Sequence, residues 1–138
     1  MLEKIFELIE IYFKMNPGEH IKNFQEEIVL LESEIKIVMR RRALKHIVEQ
    51  RKKDTYTVND FKKLFTDLNN ILIKNNFVIT KNKSEDENSF LLIETTEIVG
   101  KGVVVAMEHS LIDKNFYFIK TGFYRSATKI KNLLDKIK

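Results

Sequence analysis

Residues 57–80 read TVNDFKKLFTDLNNILIKNNFVIT, and within this one stretch the apolar period changes from helical to alternating. Thr57 and Asp60 have the spacing of a capping box, in which each side chain satisfies the other residue's backbone N–H. Val58, Phe61, Leu64, Phe65, Leu68, Ile71 and Leu72 then follow the helical period, so a helix should run to about Asn75 and Asn76. Phe77, Val78, Ile79 and Thr80 are aromatic or β-branched and open a strand. The chain thus passes here from a helical half to a sheet-forming half.

Downstream, residues 90–96, 103–108 and 115–121 repeat the strand signature. The turns between them, at residues 81–88, 100–102 and 113–115, are too short for crossover helices, so the four strands should pair in order as an antiparallel meander. Ser126 can cap a short last helix that buries Ile130, Leu133, Leu134 and Ile137. Upstream, Leu2, Ile5, Phe6, Leu8, Ile9, Tyr12 and Phe13 predict a helix over residues 2–15, stopped by Asn16-Pro17-Gly18. Residues 19–31 are ambiguous: Phe24, Ile28 and Leu31 suit a helix, while residues 28–31 also suit a short buried strand, and the helix is preferred. Ile35, Val38, Met39, Ala43 and Ile47, with Leu44 and Val48 offset, predict a further helix that ends in Arg51-Lys52-Lys53-Asp54. The expected fold is α+β, with N-terminal helices packed on a small four-stranded antiparallel sheet and a short C-terminal helix. One core should join Phe61, Leu64, Phe65 and Leu68 to Val104 and Ile119, because each apolar face needs a cover.

With 138 residues the chain suits a single domain. It has no cysteine, which excludes disulfides, thiolate metal sites and a thiol nucleophile. No apolar run approaches the roughly 20 residues of a membrane span. The first residues place acids where a secretory signal carries positive charge, so a cytoplasmic protein without a membrane role is expected.

The net charge is only +4, but its distribution is uneven. Residues 1–35 hold eight acids against three lysines, residues 40–53 seven bases against Glu49, and residues 114–138 seven bases against Asp135. Two basic segments that converged on one face would attract a polyanion. The first is a helix whose stripe carries Arg42, His46, Gln50 and Lys53, with His46 suited to proton transfer or a phosphate contact. The second is Lys120-Thr-Gly-Phe-Tyr-Arg-Ser126, read as leaving the last strand, turning at Gly122 and presenting Thr121, Tyr124, Arg125 and the capping Ser126 to a phosphate. His20 follows a Pro-Gly turn as a surface residue, and His109 ends a strand. The histidines lack a metal-ligand spacing, and the glycines form no phosphate-cradling motif. Neither a metal nor a cofactor is expected.

Together the segment Ala43-Leu-Lys-His46-Ile-Val-Glu-Gln-Arg51, the Thr57 helix, and Phe116-Tyr-Phe-Ile-Lys120-Thr121-Gly-Phe-Tyr124-Arg125-Ser126 resemble the barnase, EndoU, colicin and RelE-like nuclease superfamily, in particular its phage-associated toxin branch. The resemblance covers residues 36–138 and leaves residues 1–35 as a helical extension. It implies metal-independent cleavage of RNA by an endoribonuclease toxin, neutralised by an acidic immunity or antitoxin protein. His46 is then the proton-transfer residue, Lys120 and Arg125 stabilise the charge on phosphorus, and Thr121 and Tyr124 orient hydrogen bonds. Arg42, Arg51, Lys53 and Ser126 are candidate RNA contacts. Arg51 stands one turn beyond His46, where a second histidine is expected. The alternative is a non-catalytic nucleic-acid-binding or phage-encoded inhibitor module. The apolar stripe of residues 1–15 needs a partner, either the rest of this chain or a second copy in a homodimer.

Overall fold

The computed structural model of the chain describes residues 2–16, 18–82 and 87–137. The Pro17 turn and the centre of the turn at residues 81–88 lie outside the described residues. In chain order the elements are α1 (Leu2–Lys14), β1 (Glu27–Glu32), β2 (Lys36–Arg40), α2 (Arg41–Lys53), α3 (Val58–Ile73), β3 (Phe77–Lys81), β4 (Ser89–Glu94), β5 (Lys101–His109), β6 (Phe116–Ser126) and α4 (Ala127–Asp135).

The α+β class and the β3-β4-β5-β6 meander stand as expected, but the sheet is larger. It is a six-stranded mixed sheet in the order β1-β2-β6-β5-β4-β3. Two strands replace predicted helical segments. Residues 27–32 form β1 and residues 36–40 form β2, an antiparallel hairpin in which Ile28 faces Met39 and Glu32 faces Lys36. β2 then pairs in parallel with the start of β6, Lys36 beside Phe116 and Val38 beside Phe118. The helical spacing of Ile35, Val38 and Met39 misled because β2 is covered on both faces. Ile37, Val38 and Met39 are all fully buried, and a strand buried on both sides shows no alternation.

Three helices cover one face of the sheet. α3 opens as predicted: Thr57 Oγ1 accepts from Asp60 N at 3.2 Å, and Thr57 N donates to Asp60 Oδ2 at 2.7 Å. Its Phe61, Leu64, Phe65 and Leu68 join Val103, Val105, Met107 and Ile119 in the main core. α1 belongs to the same core through Ile5, Leu8, Ile9 and Tyr12. Phe13 meets Phe61 edge-on at 6.2 Å, and Glu10 pairs with Lys62 at 2.8 Å. The apolar stripe of α1 is therefore covered within the chain, with Ile11 left 53 % exposed. Residues 2–35 supply a core helix and an edge strand of the common sheet.

The opposite face has a smaller cover. α4 packs Ile130 on Ile93 and Val104, with Val78, Leu91, Phe123, Leu133 and Leu134 around them. Val104 thus lies on the other side of the sheet from Phe61, correcting the expected single core, because successive residues of a strand point to opposite faces. Ile137 follows the last turn of α4 and is exposed rather than buried. No helix among the described residues is long and apolar enough to cross a membrane.

Candidate functional site

α2 follows β2 without a loop, and its first turn has no side-chain cap. The preceding irregular segment does that work: Arg41 N donates to Glu26 O and Arg42 N to Phe24 O, both at 3.1 Å. Satisfying these helix-start N–H groups holds residues 24–26 across the first turn of α2. Asn23 takes a positive φ of 56°, which asparagine tolerates better than most residues, and Ile21 is buried as the anchor.

A cavity of about 490 Å³ opens between this segment and α2, lined by Gly18, Glu19, His20, Ile21, Phe24, Arg42, Lys45, His46 and Glu49. Arg42, Lys45, His46 and Glu49 lie three or four residues apart, so they share one side of the helix. Lys45 is only 8 % exposed and is ion-paired with Glu49. The His20 ring sits edge-on to Phe24 at 6.3 Å. Both histidines are exposed to solvent at the cavity. Two imidazoles, two cations and two carboxylates thus meet in one concavity, which suits proton transfer beside a bound anion better than simple charge attraction.

His20, Lys45 and Glu49 were not among the residues expected from sequence. The spacing of Lys45 and Glu49 with Arg42 and His46 was available as a signal. His20 reaches the cavity only because the irregular segment folds back on α2, which no local pattern encodes. Of the other bases of α2, Arg51 pairs with Asp54 at 2.9 Å and sits 5.5 Å from the Phe123 ring. Lys53 is exposed and, with Arg51, lies outside the cavity lining.

The second predicted segment is not a turn. β6 continues through Gly122, which pairs with Val105, to Ser126, which pairs with Lys101. The register steps from Ala106↔Thr121 to Met107↔Ile119, so Lys120 is the extra residue of a bulge and is exposed. The Thr121 hydroxyl is enclosed without a hydrogen-bond partner among the described residues. Tyr124 points under the helices: its hydroxyl donates to Asp67 Oδ2 at 2.6 Å, and its N–H donates to Tyr56 Oη at 3.1 Å. Burial and the neighbouring Asp67 carboxylate push its phenol well above the ordinary tyrosine range. Tyr124 therefore ties β6 to α3. Ser126 caps α4 as predicted, its Oγ accepting from Lys129 N at 3.2 Å.

Arg125 is exposed, with its guanidinium 4.4 Å from the Phe123 ring centre. It lines a separate cavity of about 460 Å³ with Lys129, Lys136, Asn82 and Asn132. His46 and Arg125 thus line different cavities, not one shared cleft. His109 is half-buried beside Phe90 at 5.1 Å, with Nδ1 2.9 Å from Ser110 O. Among the described residues no group of three His, Asp or Glu side chains is placed to hold a metal ion. No family model, curated protein or solved structure matches the chain.

Proposed function

We propose that this chain is an endoribonuclease that cuts RNA through attack of the substrate's own 2′-hydroxyl, with His20 and His46 as the proton-transfer pair. The observation that carries the reading is the arrival of both histidines at one cavity with Arg42, Lys45 and Glu49. One imidazole takes the proton of the 2′-oxygen as that oxygen bonds to the adjacent phosphorus. The 5′-oxygen leaves and takes a proton from the other imidazole, giving a 2′,3′-cyclic phosphate and a 5′-hydroxyl end. Arg42 and Lys45 offset the charge that gathers on the phosphoryl oxygens. Because the nucleophile is part of the substrate, a base, an acid and fixed cations suffice, and the reaction is metal-independent. A toxin role, with an acidic immunity or antitoxin protein as partner, follows from the same resemblance and the same basic segments.

The experiment is incubation of total RNA with wild type, His46→Ala and His20→Ala, with and without EDTA, followed by end-group analysis. Each substitution should lower the cleavage rate by roughly 10²–10⁴-fold, the usual contribution of a general acid or base. EDTA should leave the rate unchanged. Full activity in His46→Ala would place the chemistry elsewhere.

A second reading is a non-catalytic nucleic-acid-binding module. It is favoured by the cations lying over half-buried aromatic rings on the sheet, where Arg40 sits 4.3 Å from the Phe118 ring centre. Wild-type protein that binds RNA but never cuts it would select that reading.

A further inference from the structure

The sheet face opposite α1, α2 and α3 is only partly covered. α4 spans the side formed by β4, β5 and the end of β6, packing on Ile93, Val104 and Phe123. In the remainder, built on β2 and the start of β6, Val38 is buried but no helix lies over the surface among the described residues. Its surface is aromatic and carries cations, with the carboxylates of Glu27, Glu32 and Glu108 as cross-strand neighbours of Arg40, Lys36 and Phe118. Phe116 and Phe118 project there together, with ring centres 4.9 Å apart and planes inclined at 33°. Lys36 Nζ lies 5.1 Å from the Phe116 centre, and the Arg40 guanidinium 4.3 Å from that of Phe118.

Further along the strand, Arg125 covers Phe123 in the same way. Lys120 is exposed on the bulge between these pairs. Glu32 and Glu27 stand across the strand from Lys36 and Arg40, yet neither base forms an ion pair with them among the described residues. Lys120 and Arg125 are likewise without ion-pair partners among these residues.

We propose that this open sheet face, centred on Phe116 and Phe118 and flanked by Lys36, Arg40, Lys120 and Arg125, binds single-stranded RNA by base stacking. Nucleobases stack on aromatic rings and on arginine planes alike, so a guanidinium resting on Phe118 extends the platform rather than blocking it. The flanking cations neutralise phosphates and release counterions. In a duplex the bases are stacked on each other and cannot reach these rings, so a single strand is favoured. The inference takes its substrate, RNA, from the nuclease reading but does not depend on cleavage.

The chain runs directly from this face to the helix that lines the histidine cavity. Arg40 ends β2 on the aromatic face, Arg41 pairs with Glu26, and Arg42 lines the cavity.

The test uses the full chain and a short fluorescein-labelled 2′-O-methyl oligouridylate, which cannot supply the attacking hydroxyl, read by fluorescence anisotropy. Phe116→Leu and Phe118→Leu keep the apolar cover over the strand and remove the ring; each should weaken binding roughly tenfold. Exposed Lys120→Gln and Arg125→Gln, which do not disturb the core, should each lower the log–log salt slope by about 0.7. If a leucine variant fails to fold by circular dichroism, these two still decide the proposal.

Unchanged affinity in both leucine variants, or unchanged salt slopes in both glutamine variants, would overturn it. So would equal affinity for a duplex of the same length. Polyglutamate binding as tight as the oligonucleotide, and insensitive to loss of the rings, would assign the face to an acidic protein instead. Binding of the blocked strand without cleavage of ordinary RNA would sink only the nuclease reading. Cleavage with ring-independent binding would sink only the platform.

Discussion

The two faces of this sheet are built to different ends. One carries three helices and a core in which Ile5, Ile9, Phe61 and Met107 are fully buried. The other carries one nine-residue helix and leaves Phe116 and Phe118 half-buried under cations. Apolar burial contributes roughly 25 cal/mol per Å², so stability should reside mainly in the first face. Aromatic surface that stays in contact with water is a feature of binding surfaces, and the second face has it. A fold stabilised on one side can leave its other side free for a ligand.

The largest expected effect breaks that asymmetry directly. Phe61→Ala empties a fully buried site beneath α1 and Tyr56 and should cost about 3–5 kcal/mol. Leu134→Ala, in α4 and half-buried against the opposite face, should cost about 1 kcal/mol. Urea unfolding at neutral pH measures both. Equal losses would show that the sheet depends on its two covers alike.

A smaller effect sharpens the same contrast at the helix starts. Thr57 caps α3 with a reciprocal capping box, whereas Ser126 caps α4 with one accepted hydrogen bond. Thr57→Ala should cost about 1–2 kcal/mol and Ser126→Ala about 0.5–1 kcal/mol. The first should lower the melting temperature more, and the reverse order would mean that α4 matters more to the fold than its size suggests.

What could be read from sequence divides along physical lines. α3 was readable because its cap and its apolar period are both local, and the β3–β6 meander because its turns are short. β1 and β2 were not, since their place depends on a parallel pairing with β6, more than 70 residues away in the chain. Lys36 to Arg40 has helical spacing on paper and takes a strand only because a partner is present. Gly122 looked like a turn for the same reason: opposite Val105 it is simply a small residue within a long strand. At the candidate site His46 and Arg42 were visible as a helix stripe. His20 was not, because backbone bonds from α2 to residues 24 and 26, not any motif, bring its segment across.

The smallest and most graded effect is the pH dependence of stability, and it also belongs to the three-helix side. Lys62 holds the Glu10 carboxyl below its usual range, Lys4 does so for Glu26, and hydrogen bonds from Thr57 do so for Asp60. A carboxyl whose folded pKa is depressed binds its proton more weakly in the native state than in the unfolded chain. Its stabilisation is present above the unfolded pKa of about 4 and is lost as pH falls through the lower folded value. Tyrosine gives the opposite sign. Burial raises Tyr12 and Tyr117, and burial with Asp67 raises Tyr124, so the native state holds these protons more tightly. Their contribution is complete below the unfolded pKa of about 10 and is lost as pH climbs through the folded values. Unfolding free energy measured by urea titration should therefore be flat between about pH 5 and 9 and fall on both sides. Tyr124→Phe should lower the plateau, because Asp67 loses a 2.6 Å donor, and make the alkaline fall shallower. Asp60→Asn should make the acid fall shallower and leave the alkaline limb alone. An alkaline limb unaltered in Tyr124→Phe would mean that the bond to Asp67 does not join β6 to α3 in solution.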